Sequence, residues 1–224
     1  MRKVFEIGGV VTAVVLVAFG VVAIAMGFAG GRTVSSSLKQ QQITGTSDMT
    51  PAGIKAEAAK AGLKNITFPT CSVAGVAVTS GSTARCFPQY MQIHALEATG
   101  GFVYSQMGMY MAKPGTPKSQ LMIGGGTDNA SFAQLDPTTK QPVANGARDV
   151  WVTETALTTA LNVSFMATRL ALFGVVVGFA LLLAGIGFGI LSIGGALRHP
   201  ENAPWFAFGK GKHKLVGHVP APVA

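Results

Sequence analysis

Two long uncharged blocks dominate the pattern of hydrophobic and polar positions. Neither Ile7 to Ala29 nor Leu170 to Leu197 contains an Asp, Glu, Lys or Arg. Each exceeds the roughly 20 apolar residues needed to cross the hydrocarbon core of a bilayer. They predict two transmembrane helices, over 7–29 and 170–197. Small residues recur regularly in both. At 100° per residue, Gly9, Ala13, Gly20, Gly27 and Gly31 fall within about 40° of one another. Gly174, Gly178, Gly185, Gly189, Ser192 and Ala196 fall within about 60°. Lipid tails give apolar helices no hydrophobic reason to associate, so close backbone contact through small residues takes that role. The stripe Gly9/Ala13/Gly20/Gly27 is therefore expected to pack, antiparallel, on Gly174/Gly178/Gly185/Gly189.

Between the spans the pattern changes several times. "RTVSSSLKQQQITGTSD" has no apolar period and reads as a frayed helix end or a stalk. A short helix follows: Thr50 suits the N-cap, Pro51 the first helical position and Gly62 the position just past the end. Its interior puts Ile54 and Ala58 on one face. Val73 to Val78 followed by Ser80-Gly81 reads as a short strand and a turn. A helix then carries His94 and Glu97, which three-residue spacing places on one face. Its apolar positions Tyr90, Met91 and Ile93 need cover. Residues 112–148 are rich in turn signals, with a short strand expected at Leu121–Ile123. From Asp149 the helical period returns. Val150, Leu157, Leu161 and Phe165 lie on one stripe, opposite Thr155, Thr159, Asn162 and Arg169. One long helix is expected to begin near Asp149, to cover the His94 helix and to continue into the second span. Glu154 falls about 40° from the centre of its apolar stripe, so it should be partly buried and paired, with His94, Arg85 or Arg148 as partner.

Charge changes the picture by its placement. Only 12% of residues are charged, with a net charge of +8. Arg2 and Lys3 precede the first span, while Arg198, Lys210, Lys212 and Lys214 follow the second with only Glu201 opposing them. Basic flanks mark the cytoplasmic side, so both termini are expected inside, in a cytoplasmic membrane. The basic balance thus reads as topology, and no nucleic acid is expected as a partner. A cleaved signal peptide is the alternative for the first span, since Ala23-Ile24-Ala25 fits a cleavage site. Against it, 23 uncharged residues exceed the usual 7–15 or so of such a segment. The division is then 1–6 inside, 7–29 spanning, 30–148 an extracytoplasmic domain, 149–169 a membrane-proximal helix, 170–197 spanning, and 198–224 a basic tail. The tail's composition predicts disorder, with Trp205, Phe206 and Phe208 suited to the headgroup region.

Two cysteines, Cys71 and Cys86, are the only ones in the chain. Facing outward, with no third to compete, they are expected to form a disulfide. A two-cysteine metal site is the alternative, but no second ligand pair lies nearby. A copper site is the remaining metal reading. Met107, Met109 and Met111 alternate as soft thioethers, with His94 and Glu97 as further candidate ligands. Methionine is also a packing residue, and Phe102, Tyr104 and Tyr110 are natural neighbours for its sulfur. Packing is the expectation for these methionines, with no metal and no cofactor.

Catalytic patterns are not met. His199, His213 and His218 belong to the inner tail, across the membrane from His94, so two histidines and a carboxylate cannot meet within one chain. A Ser-His-Asp arrangement would need His94 beside Asp128, Asp136 or Asp149, and no nucleophile-elbow motif is present. "GGGTDN" fits neither a phosphate-binding loop nor a dinucleotide fingerprint. Formal glycosylation sequons stand at Asn65, Asn129 and Asn162 and would carry no weight if the source were bacterial.

The phrases "DMTPAGIKAEAAKAGL", "RCFPQYMQIHALEATGG" and "ARDVWVTETALTTALNVSFMA", with the glycine-rich second span, give the chain a family likeness. It resembles two-span actinobacterial membrane proteins of unknown function. Some of these carry the label of an aromatic ring-opening dioxygenase, which the separation of the histidines contradicts. The resemblance implies a bacterial cytoplasmic membrane and brings no catalytic residues. The fold expected is mainly α, a hairpin of two transmembrane helices with a mostly helical, disulfide-closed extracytoplasmic domain. The function expected is non-catalytic: an accessory or interaction subunit of a cell-envelope assembly, whose partners are the bilayer and an envelope protein or a second copy. Outward-facing copper handling or sensing is the alternative.

Overall fold

The computed structural model describes residues 2–193. The expectations for the tail, with Trp205, Phe206, Phe208 and the three tail histidines, and for Ala196, lie outside the described residues. Four α-helices follow in order: α1 (Arg2–Gln40), α2 (Pro51–Lys60), α3 (Gly81–Ala98) and α4 (Gly146–Ile193). Among the described residues there is no strand, only isolated β-bridges. The fold is thus mainly helical. Both α1 and α4 contain a segment long and apolar enough to cross a membrane.

The chain divides into two compact units, Met1–Gly20 with Ala180–Ala224, and Val21–Phe179. In the first, Gly185 faces α1. A Cβ added there would lie 2.9 Å from the Ala13 carbonyl oxygen and 2.8 Å from Val17 Cγ2. A Cβ on Gly189 would touch that of Ala13 at 3.7 Å. In the second unit, a Cβ on Gly27 would lie 2.7 Å from the Ala171 carbonyl oxygen, and one on Gly174 would be 3.8 Å from that of Ala23. Within each unit the pairing runs antiparallel: Ala13 meets Gly189 and Val17 meets Gly185, while Ala23 meets Gly174 and Gly27 meets Ala171. Gly20 and Gly178 are buried, and Gly9 is half-buried.

The polar stretch after the first apolar block is neither frayed nor a stalk. α1 continues through it to Gln40, because Val34 and Leu38, one turn apart, pack into the larger unit's core. Ser35 Oγ also donates to the Thr79 carbonyl oxygen at 2.9 Å. That core joins Leu38 of α1, Ile54 and Ala58 of α2, Phe87, Tyr90 and Ile93 of α3, and Leu161 of α4. α2 forms as its sequence predicts. The Thr50 side chain accepts from Gly53 N–H, Pro51 opens the helix, and Gly62 beyond its end takes φ +69°.

Two local expectations fail. Val73–Val78 forms no strand. It pairs with residues 43–49 through single bridges, as in Val73 N–H to Met49 O (3.1 Å) and Val78 N–H to Ile43 O (2.8 Å). Ser80-Gly81 is not a hairpin turn but the start of α3, where Ser80 and Thr83 cap each other reciprocally. Leu121–Ile123 is likewise no strand. Residues 99–145 are irregular, with three-residue 3-10 turns at Tyr104–Gln106, Lys118–Gln120 and Ala130–Phe132.

Cys71 and Cys86 are disulfide-bonded across a separation of 15 residues. Reduction is expected to cost about 3 kcal/mol, from the chain entropy returned to the unfolded state. Melting of the detergent-solubilised protein with and without reductant measures it. Gly27→Leu and Gly185→Leu should each destabilise by about 1–3 kcal/mol, because a side chain would displace the facing backbone. Gly8→Leu, with nothing within 4 Å, should leave the melting temperature unchanged.

Candidate functional site

His94 lies in the fourth turn of α3. Its Nε2 is 2.7 Å from Asp48 Oδ2 and 3.5 Å from Glu57 Oε2. Three elements bring these groups together. Asp48 sits in the turn before α2, two residues ahead of the N-cap Thr50; Glu57 lies on α2; and α2 packs on α3 through Ile54 and Ala58. One ligand atom from each residue lies within 4.8 Å of the other two. His94 and Asp48 are about three-quarters buried and Glu57 less so.

Burial works against ionisation of the Asp48 carboxyl. The Thr46 hydroxyl, Asp48's own backbone N–H and the His94 imidazole together outweigh it, and hold that carboxyl below the usual carboxylate range. Glu97 does not join the cluster. It lies one turn beyond His94, rotated by about 60°, and faces solvent.

A cleft of about 470 Å³ also adjoins His94. Met91, His94 and Ala98 of α3 and Asp149, Val150 and Glu154 of α4 line it. Glu154 is 6% exposed. None of the three expected cations pairs with it. Thr158 Oγ1 donates to Glu154 Oε1 at 2.7 Å, and Thr155 Oγ1 lies 3.5 Å from Oε2. The expected partners are engaged elsewhere. Arg85 Nη1 donates to Asn162 Oδ1 at 3.0 Å, and Arg148 lies 3.4 Å from Asp128 and stacks 4.1 Å over the Tyr104 ring. The Thr158 hydroxyl, one turn along the same helix, costs less chain ordering than the long Arg85 side chain drawn from α3.

The methionines separate. Met107 is 1% exposed and packs with Ala95, Trp151 and Phe102, so the packing expectation holds for it. Met109 and Met111 are 48% and 42% exposed, so for them it does not. Met107 caps the 3-10 turn Tyr104–Gln106 at the edge of the core, whereas Met109 and Met111 lie on the irregular segment that follows. Beyond it, Asp128 Oδ1 holds the Met109 backbone N–H at 2.8 Å, and Tyr110 bridges to both Thr127 and Ala144.

Asp48 and Glu57 were missed as neighbours of His94. Asp48 lies far off in sequence and carries no periodic signal. Glu57 could have been found from its position on the face of α2 beside Ile54 and Ala58. Comparison with protein-family models, with curated proteins and with solved structures yields no match.

The lowered Asp48 carboxyl sets a pH dependence. Its stabilising contribution is present above the unfolded-state value of about 3.9 and is lost as pH falls through the lower folded-state value. Asp48→Asn should therefore be less stable than the parent at neutral pH, by under about 1 kcal/mol for a partly exposed pair. The two melting curves should converge as pH falls below about 4.

Proposed function

We propose that the chain is a non-catalytic, two-span protein of a bacterial cytoplasmic membrane, with both termini inside. Its folded part stands on the outer side and serves as an interaction subunit of an envelope assembly. The basic flanks of both apolar blocks and the resemblance to two-span actinobacterial proteins support the membrane and its orientation. α4 has 48 residues, whereas about 20 cross a bilayer, so more than half of it would stand outside.

One observation supports an interaction role above others. Val152, Ala156, Thr159, Val163, Met166, Leu170 and Phe173 recur at spacings of 4, 3, 4, 3, 4 and 3. At 100° per residue they occupy an arc of about 100°. All seven are exposed, with the valines, Met166, Leu170 and Phe173 more than half so. A mean spacing of 3.5 is the period at which two helices wrap around each other. The occupant that fits is a second copy of this chain. Copies in one membrane share orientation and depth, so the same stripe meets itself parallel and in register. Between Val150 and Thr168 the only charged residue is Glu154, which is buried, so no like charges oppose the approach. The copper alternative finds no support in Met107, whose thioether belongs to the core.

Single-cysteine variants test the pairing, because neither native cysteine is free. In native membranes, Val152→Cys, Thr159→Cys and Met166→Cys should cross-link on oxidation to twice the chain mass. Thr153→Cys and Ser164→Cys, about 100° or more from Val152 around the helix, should not. Equal cross-linking at all five positions, none at any, or a product carrying another protein's mass would refute the second copy.

A further inference from the structure

We propose that Asp48, Glu57 and His94 form a binding site for a divalent transition-metal ion, with Zn²⁺ the best match. The geometry around one nitrogen motivates this. A protonated Nε2 has a single N–H and can make one good hydrogen bond, and Asp48 Oδ2 already stands 2.7 Å from that nitrogen. Glu57 Oε2 nevertheless approaches the same nitrogen to 3.5 Å. Among the described residues the Glu57 carboxylate has no other ion-pair partner. One N–H can account for at most one of the two carboxylates, whereas a shared cation accounts for both. Ligand atoms about 2.0–2.1 Å from a tetrahedral ion lie roughly 3.3 Å apart, and the two observed separations from Nε2 bracket that value.

Charge points the same way. Two carboxylates bring two negative charges, and a protonated imidazole would offset only one. A divalent ion offsets both and binds the neutral imidazole through the same Nε2. Two carboxylate oxygens and one imidazole nitrogen suit Zn²⁺ or Mn²⁺, and not Cu(I), which prefers sulfur. Three protein ligands leave a fourth position for water, or for a small ligand entering from the cleft beside His94. The site is independent of any pairing between copies.

The test uses the full chain, disulfide intact, in detergent and stripped with a chelator. Titration with Zn²⁺ alone, followed by calorimetry, should give one ion per chain in a variant whose tail histidines are replaced (His199→Ala, His213→Ala, His218→Ala). In that background Asp48→Asn and His94→Ala should weaken binding at least tenfold. Glu57→Gln, an exposed change that cannot unfold α2, should do the same, and Glu97→Gln should have no effect. Zn²⁺ should raise the melting temperature of the parent and not that of the Glu57 variant. Binding that survives all three substitutions would mark an adventitious ion and overturn the proposal. Absence of stoichiometric binding would overturn it too, leaving an ion pair between His94 and Asp48.

Discussion

The hydroxyl of Tyr90, fully buried on α3, donates to the carbonyl oxygen of Cys71. Cys71 is in turn bonded through sulfur to Cys86, one turn earlier on the same helix. One residue is therefore gripped twice by α3, covalently and by a hydrogen bond, and much of the larger unit follows from that grip. It fixes the start of the segment that runs to Val78, whose backbone pairs with residues 43–49. Gly45 lies so close to Val73 that no side chain could be accommodated there. That pairing sets the position of Asp48 and of Thr50, the N-cap from which α2 departs. Tyr90 and His94 are four residues apart on α3. The helix that holds Cys71 thus also presents the imidazole to the carboxylates whose position it has fixed.

Legibility in the sequence follows the range of the interactions. The caps of α2 could be read because Thr50, Pro51 and Gly62 act on neighbours within a turn. The disulfide could be read because two cysteines allow one pairing. Ser80-Gly81 was misread because small polar residues serve turns and N-caps alike, and only Thr83, three residues on, separates the two. Glu154 is more deeply buried than its offset from the stripe implies, and its partner is the nearby Thr158, not a distant charge. The cluster around His94 was least legible. Glu97 stood nearby with the right chemistry, whereas Asp48 is brought in by a chain path through the disulfide, the 43–49 pairing and the start of α2. No periodicity encodes such a path.

α1 and α4 illustrate how tertiary packing overrides local polarity. Composition alone ends the first helix where serines and glutamines begin. The structure extends it to Gln40, because Val34 and Leu38 share one face and meet the core. Of the serines between them, Ser36 and Ser37 are exposed and Ser35 donates to the Thr79 carbonyl oxygen. α4 does the reverse. It stays apolar well before Arg169, with Leu157 and Leu161 turned into the core and Val152, Val163 and Met166 turned away from it.

That second apolar face gives the larger unit two unlike surfaces. α2 carries Lys55, Glu57 and Lys60, and with Asp48 and His94 it forms a charged side where water and ions compete for contacts. The outer face of α4 bears no charge from Val150 to Thr168 and offers only methyl groups, a thioether and threonine hydroxyls. Exposed helix faces in water normally carry charge, and an uncharged one five turns long holds its place only if something apolar covers it. Lipid can cover the part within a bilayer. For the turns that the proposed topology puts above it, the cover proposed is a second copy of the helix. An ion on the charged side and a helix on the neutral side would then occupy different surfaces of one domain.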